Sequence, residues 1–393
     1  MIKRIEFRNW KSFKNSILYI DQMTFIIGAN ASGKSNALDA LDFLQRLSEG
    51  ANISDSVKDT RGGFDWLIMN EENEASLKVI VKENDMEYRY DLTLRRMEKS
   101  IVIYKESLYR KFASNPERAL FETDWISQTG VLATRFYTAK RGNPKRIDLY
   151  ANSSILSQAE NLNVVKDVKI GAAMVLKNLR SIFILNPLPN KMRAYVPLSM
   201  ELDADGGNVA GVIAGMDDNE KAILETTIGE YLHKLPERDV ERVWAEKVGR
   251  FEADAMLYCE EKWTNSKTQI LDARGMSDGT LRFISIILAL LTRPEGSLLV
   301  VEEIDNGLHP SRSEELVNML HELGTRRHID VLCTTHNPVL IDKLGYEMVP
   351  YISVVKRSME DGSSCIHLLE ENDNLLDIMA EGTIGDGMIS NKI

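Results

Sequence analysis

"FIIGANASGKSNALDAL", residues Phe25–Leu41, places an apolar run, a turn of small residues with one lysine, and a helical repeat side by side. Its centre reads Gly28, Ala29, Asn30, Ala31, Ser32, Gly33, Lys34, Ser35, the G-x-x-x-x-G-K-[ST] spacing of a Walker A loop. The two glycines let the backbone turn tightly enough for successive N–H groups to point into one concavity, and the start of the next helix adds partial positive charge. A triphosphate suits that concavity, with Lys34 reaching the β- and γ-phosphates and the Ser35 hydroxyl ligating Mg2+. The flanks agree: Met23–Ile27 reads as a buried strand, and Leu38, Leu41, Leu44 and Leu47 recur at near-helical spacing. ATP and Mg2+ are therefore the expected ligands.

The chain around this loop has 393 residues, enough for a sizeable core and for two domains or one domain with large insertions. Hydrophobic residues make up 44% and charged residues 27%, the balance of a folded globular chain. A net charge of -11 repels nucleic acid as a whole, so any such contact needs a local basic patch. Lys140, Arg141, Lys145 and Arg146 in "TAKRGNPKRID" are the one candidate, and a short charged loop of this kind is commonly just solvated. The longest apolar stretch, Phe283–Leu291, is too short to span a bilayer, and "MIKRIEFRNW" lacks the apolar core of a secretion signal. A cytoplasmic location without a membrane partner is expected. Cys259, Cys333 and Cys365 are far apart and odd in number, which argues for reduced packing residues rather than a disulfide framework or a metal site.

Alternation at Ile2, Ile5 and Phe7, followed by runs at Ile17–Ile20 and Met23–Ile27, predicts a β-rich edge feeding the loop. "SLKVIVK", "EYRYDLTL" and "IVIYKESLY" alternate like half-buried strands joined by short polar turns, predicting an antiparallel meander. From Ala151 to Leu185 the pattern is mainly helical, and a second helical stretch runs from Gly206–Asn208 towards Tyr231. "PERDVERVWAEKVGRFEADAMLYCEEK" reads as mixed strand and helix. No sustained heptads, internal repeat or low-complexity segment occurs.

The second half supplies further chemistry. "SLLVV", Ser297–Val301, is an apolar strand that delivers Glu302 and Glu303 to a sheet edge, the arrangement of a Walker B sequence. Glu302, where Asp is more usual, is expected to hold Mg2+, and Glu303 to orient or deprotonate the attacking water. Upstream, Met276-Ser277-Asp278-Gly279 opens a helix, and Ser277 with Gly279 can bind a γ-phosphate through the helix N-terminus. By itself Ser277 would be an ordinary helix cap. Another apolar strand ends at Thr334, Thr335 and His336, and a lone histidine after a strand assigns no role by itself.

Walker A, the Ser-Asp-Gly turn, "VVEEIDNGLHP" and "TTHNP" occur in the order of a split ABC-type ATP-binding head. The Ser-Asp-Gly turn resembles the LSGGQ signature, which in ABC-type proteins meets the nucleotide of the other subunit, and His336 matches the switch histidine. The chain resembles RecF/SMC-like ATPases, and most closely the AAA_21-type branch related to overcoming-lysogenization-defect (OLD) nucleases, on "FRNWKSFKN" and Asp305-Asn306-Gly307-Leu308-His309-Pro310. The resemblance implies an α/β fold: an ABC-type P-loop NTPase head with an antiparallel β lobe and an inserted α-helical region. Its implied divisions are 1–50, an N-terminal ATPase half with Walker A; 51–150, a mainly β insertion; 151–265, a mainly α insertion; and 266–393, a C-terminal half with signature, Walker B and switch histidine.

OLD nucleases continue into a TOPRIM nuclease domain, for which too few residues follow His336, and SMC proteins carry long arms that this chain's pattern lacks. The resemblance thus implies an ATPase without a nuclease of its own. The expected role is a switch that dimerises around ATP and controls a separate effector, a nuclease or toxin, as in PARIS-type anti-phage defence. The alternative is a RecF-like DNA-binding ATPase of repair, and a transporter ATPase fits poorly.

Overall fold

The computed structural model describes all residues except 59, 99, 127–129, 138–142, 237–239, 263–267 and 391–392. Lys140 and Arg141 of the basic loop lie outside the described residues. In chain order β1 (Ile2–Trp10), β2 (Phe13–Tyr19) and β3 (Met23–Ile27) precede α1 (Lys34–Ser48) and α2 (Ile53–Lys58). Then come β4 (Glu74–Glu83), β5 (Met86–Arg96), β6 (Ile101–Phe112), β7 (Arg118–Ile126), β8 (Val131–Phe136) and β9 (Lys145–Tyr150). The middle holds α3 (Ile155–Ala159), α4 (Lys166–Arg180), β10 (Ile182–Leu185), α5 (Pro189–Met192), β11 (Val196–Pro197), α6 (Val209–Gly215) and α7 (Asp218–His233). It continues through β12 (Val240–Val248), β13 (Asp254–Glu261), β14 (Gln269–Asp272), α8 (Asp278–Thr292), β15 (Leu298–Val301), α9 (Ser313–Arg327) and β16 (Asp330–Thr335). The chain closes with α10 (Pro338–Lys343), β17 (Ile352–Arg357), β18 (Ser364–Leu368), α11 (Leu375–Glu381) and α12 (Ile384–Ile389).

These elements form two compact units, each built from separate stretches of chain. The first comprises Met1–Ile182, Gly296–Leu298 and Tyr351–Asn372; the second comprises Phe183–Glu295, Leu299–Pro350 and Asp373–Ile393.

In the first unit the strands run β3-β17-β18-β2-β1-β4-β5-β6-β7-β8-β9. The predicted meander is present as β4 to β6 and continues beyond the three predicted runs through β7, β8 and β9, each antiparallel to the next in sequence. It follows from alternation: Leu77 on β4 and Tyr88, Tyr90, Leu92 and Leu94 on β5 are buried between half-buried polar neighbours, while Val79, Ile80 and Val81 are buried in succession. At the other end β3 pairs in parallel with β17, Phe25 against Ile352, and β18 touches β2 where Ser364 meets Phe13. The leucines predicted to line α1 are all buried. Glu106, fully buried, ties β6 to α3: its carboxylate accepts from Tyr90 Oη at 2.9 Å, Ser154 Oγ at 2.7 Å and the N–H groups of Ile155 and Leu156 at 2.7 and 2.8 Å.

In the second unit β10, β15 and β16 lie side by side, and β11-β13-β12 with β14 form a small antiparallel sheet. Residues 240–261, read from sequence as mixed strand and helix, are a hairpin of β12 and β13. Val240, Val243 and Ala245 face α6 and α7 while Trp244 stacks on Tyr258 at 5.8 Å, and such cross-strand pairing outweighs the local helix propensity of the glutamates. Helix α8 is buried along Gly279–Leu290, consistent with its apolar composition.

Candidate functional site

The predicted site residues fall into two groups, one in each unit. In the first unit β3, buried throughout, ends at Gly28. Gly28 has φ 154° and Gly33 φ 122°, so the loop between β3 and α1 uses backbone that side chains strain. Space reinforces this: a Cβ on Gly28 would stand 2.4 Å from Val355 O, and one on Gly33 would stand 2.5 Å from Ser364 Oγ. Ser364 Oγ donates to Ser32 O at 2.6 Å, and Ser364 N donates to Ser12 O at 2.7 Å. Strands β17 and β18 thus press the loop into shape from behind. Sequence reasoning passed over Val355, Ser364 and Ser12, whose contacts with the loop leave no mark in local periodicity.

Lys34 is 9% exposed, and its Nζ donates to Gly28 O at 2.7 Å and Ala29 O at 2.9 Å. The ammonium is therefore held over the loop by the loop's own carbonyls. Helix α1 begins with no side-chain cap and no acid in its first turn, which leaves its N-terminal partial charge for an anion. Ser32 Oγ is buried and has no hydrogen-bond partner among the described residues. An orphaned hydroxyl, an ammonium and an uncapped helix start are the donor set a polyphosphate requires, so the loop fits the nucleotide its sequence implies. Beside it lies a cavity of about 750 Å³ whose lining includes Lys11, Asn36, Arg61, Trp66 and Arg357. Lys11 is neutralised there by Asp39 at 2.5 Å, while Trp66 is 60% exposed.

In the second unit the buried β15 delivers Glu302, 9% exposed, with its N–H on Leu185 O at 3.2 Å. Glu303 follows at φ 47°. The end of β16 holds the turn: Glu303 N donates to Thr334 Oγ1 at 2.9 Å, Ile304 N to Thr334 O at 3.1 Å, and Thr335 Oγ1 to Asp305 Oδ1 at 2.6 Å. His336, exposed, is the next residue along. The structure thus brings Glu302, Glu303 and the Thr334–His336 segment to neighbouring strand ends. The two threonines were visible in the sequence as a strand terminus but carried no assigned role.

Ser277 caps α8, its Oγ accepting from Thr280 N at 3.1 Å. Asp278, next to it, is bound by Arg193 at 2.7 Å, and Arg193 also donates to Met276 O at 2.8 Å. Gly279 packs so closely on the loop after β15 that a Cβ there would stand 2.9 Å from Gly307 O.

Residues 23–342 match the AAA_21 family, described as "AAA domain, putative AbiEii toxin, Type IV TA system". Over 98 residues the chain is 36% identical to the DNA replication and repair protein RecF of Agathobacter rectalis, a stretch covering 24% of each chain. The chain thus spans about a quarter of that curated relative. An SMC head solved with the C-winged helix domain of ScpA superposes with a TM-score of 0.52 at 15% identity, covering 93% of this chain and 97% of that one. The SMC head domain from Thermotoga maritima gives a TM-score of 0.47 at 15% identity over 93% and 98%. The fold is a mixed α/β architecture of the ABC-type ATPase and SMC-head kind, with a large mixed sheet and helical insertions. No helix among the described residues is long and apolar enough to cross a membrane.

Proposed function

The chain belongs to the AAA_21 family of P-loop ATPase domains, and on that premise we propose that it is an ATP-driven switch that pairs with a second copy of itself and governs a separate effector. The observation that carries this reading is the Gly28–Ser35 loop, with its glycine cradle, enclosed Lys34 ammonium and orphaned Ser32 hydroxyl.

Lys34 exchanges its loop carbonyls for the β- and γ-phosphate oxygens, and Ser32 Oγ gains the acceptor it lacks. Ser35 and Glu302 would hold Mg2+, which when bound neutralises charge across the phosphates. Glu303 orients the attacking water and takes its proton, and His336 steadies that water and the γ-phosphate. Ser277 and Gly279, at the start of α8, meet the phosphate of the partner copy, which makes hydrolysis depend on pairing.

The family's description names a toxin–antitoxin system, and the motif resemblance to OLD-related and PARIS-type ATPases points the same way, to bacterial anti-phage defence. Under this reading the chain cleaves no nucleic acid itself, and a nuclease or toxin acts on its signal. The short RecF match favours a second reading, a DNA-binding repair ATPase. Lys145 and Arg146 are engaged locally, with Asn163 O at 2.7 Å and Asp148 at 3.1 Å, which weakens a phosphate-binding role for that loop.

Purified protein should hydrolyse ATP at a rate per chain that rises with protein concentration, and Ser277→Arg should abolish both that dependence and ATP-induced pairing. A concentration-independent rate unaffected by Ser277→Arg refutes the pairing. Salt-dependent DNA binding without any associated effector moves the conclusion to the repair reading.

A further inference from the structure

Arg282 is only 8% exposed, yet it sits in a helix whose other buried residues are uncharged. It lies one turn after Asp278, and the charges of three carboxylates reach it, Asp278 on its own helix and Glu303 and Asp305 on the loop after β15. Burial pushes its pKa down while those three acids pull it up, the position of a cation kept in a dry place by its partners. The same two segments touch backbone to backbone at Gly279 and Gly307, and Arg282 Cδ and Nε would lie 3.7 Å from a Cβ on Gly307. Arg312, 9% exposed, closes the other flank with Nη1 3.4 Å from Thr280 Oγ1. Asp305 is anchored in turn by Thr335.

We infer that Arg282 is a positioning residue that locks the first turn of α8 to the loop bearing Glu303, so that seating a phosphate at Ser277 and setting the Glu303 carboxylate are one event. This rests on the reading above in which Ser277 meets a phosphate and Glu303 activates water. The contact at Gly279 and Gly307 has no slack, because packed backbone transmits a shift rather than absorbing it. The guanidinium, its stem packed on Gly307, makes that shift electrostatic as well as steric: moving the helix start moves a charge whose field reaches Glu303 and Asp305. A purely structural cation would support the fold without linking these two motifs.

The test compares the full chain with Arg282→Gln, Arg282→Lys and Glu303→Gln, measuring ATP-induced pairing, KM and turnover per pair. Arg282→Gln should pair as wild type with unchanged KM while turnover per pair falls about tenfold or more, and Arg282→Lys should recover part of the loss. Turnover in Arg282→Gln within about twofold of wild type, with Glu303→Gln inactive, overturns the Arg282 role alone. Pairing and turnover falling together in a folded Arg282→Gln also overturns it, as the mark of a structural cation. Full activity of Glu303→Gln instead overturns the functional reading beneath it. Where Arg282→Gln does not fold, Asp305→Asn carries the test from the other side, with the same loss of turnover expected and unchanged turnover decisive against it.

Discussion

Glu303 hangs from Thr334: its N–H donates to the threonine hydroxyl at 2.9 Å while its own backbone is left-handed, at φ 47°. A non-glycine residue held in that region stores about 1–3 kcal/mol, which surrounding contacts must offset. Thr334 is 1% exposed, so the hydroxyl is a fixed acceptor. Thr334→Val keeps the shape and removes that acceptor, stranding the amide at a cost of about 1–3 kcal/mol. Turnover should fall while ATP affinity stays unchanged, as read by steady-state hydrolysis beside equilibrium binding. Unaltered turnover would show that the strained turn does not need this bond.

Lys34 and Glu303 should separate cleanly by nucleotide titration. Lys34→Ala removes the ammonium held over the loop and should lower ATP affinity by an order of magnitude or more, about 1.4 kcal/mol for each factor of ten. Glu303→Gln should bind ATP normally and retain it unhydrolysed. Matching affinities in the two variants would contradict this division.

The two loop glycines differ in what blocks a side chain. At Gly28 the nearest obstacle is a backbone oxygen, Val355 O, which cannot swing aside; at Gly33 it is the Ser364 hydroxyl, which can, with the fixed Ser364 Cβ behind it at 2.9 Å. Both substitutions to Ala are strained by their φ, so both should lower the melting temperature. Gly28→Ala should do so more, and Ser364→Ala should relieve part of the defect of Gly33→Ala but none of that of Gly28→Ala. Equal relief of both would place the steric conflict elsewhere.

Glu106 links stability to pH. Burial raises its pKa above the usual glutamate range against the opposing pull of Leu156 N–H, Ser154, Ile155 N–H and Tyr90. The folded state therefore holds the proton to higher pH than the unfolded chain, and unfolding free energy declines as pH climbs from the ordinary glutamate pKa through the raised one. The slope in that window is at most about 1.4 kcal/mol per pH unit. Glu106→Gln lacks this contribution, so the stability difference between wild type and variant should shrink with rising pH across the window, as chemical denaturation series would reveal. A difference that grows instead would reverse the assigned sign.

Much of this was legible in the chain itself because its signals are local. The Gly28–Ser35 loop is a contiguous stretch, α1 carries its leucines at helical spacing, and β4 to β6 alternate and pair with their sequence neighbours. What supports the loop is not local: Ser364 and Ser32 are 332 positions apart, and no periodicity links them. Arg282 reads as a polar interruption of an apolar helix until the loop after β15 is seen beside it. Residues 240–261 mislead for a related reason, since the pairing of β12 with β13 decides their conformation and glutamate-rich local preference does not.

The meander and the nucleotide loop also differ in when they come into being. Strands β4 to β9 find their partners among residues that have only just been synthesised, so that part of the sheet assembles as the chain emerges. The loop at Gly28 leaves the ribosome long before β17 and β18, its rear wall, with Ser364 following Ser32 by 332 positions. A nascent chain that stops short of Val355 carries the full phosphate-binding signature in a segment without its supporting wall. Nucleotide capture thus becomes a checkpoint of biogenesis, available only to chains translated past Ser364.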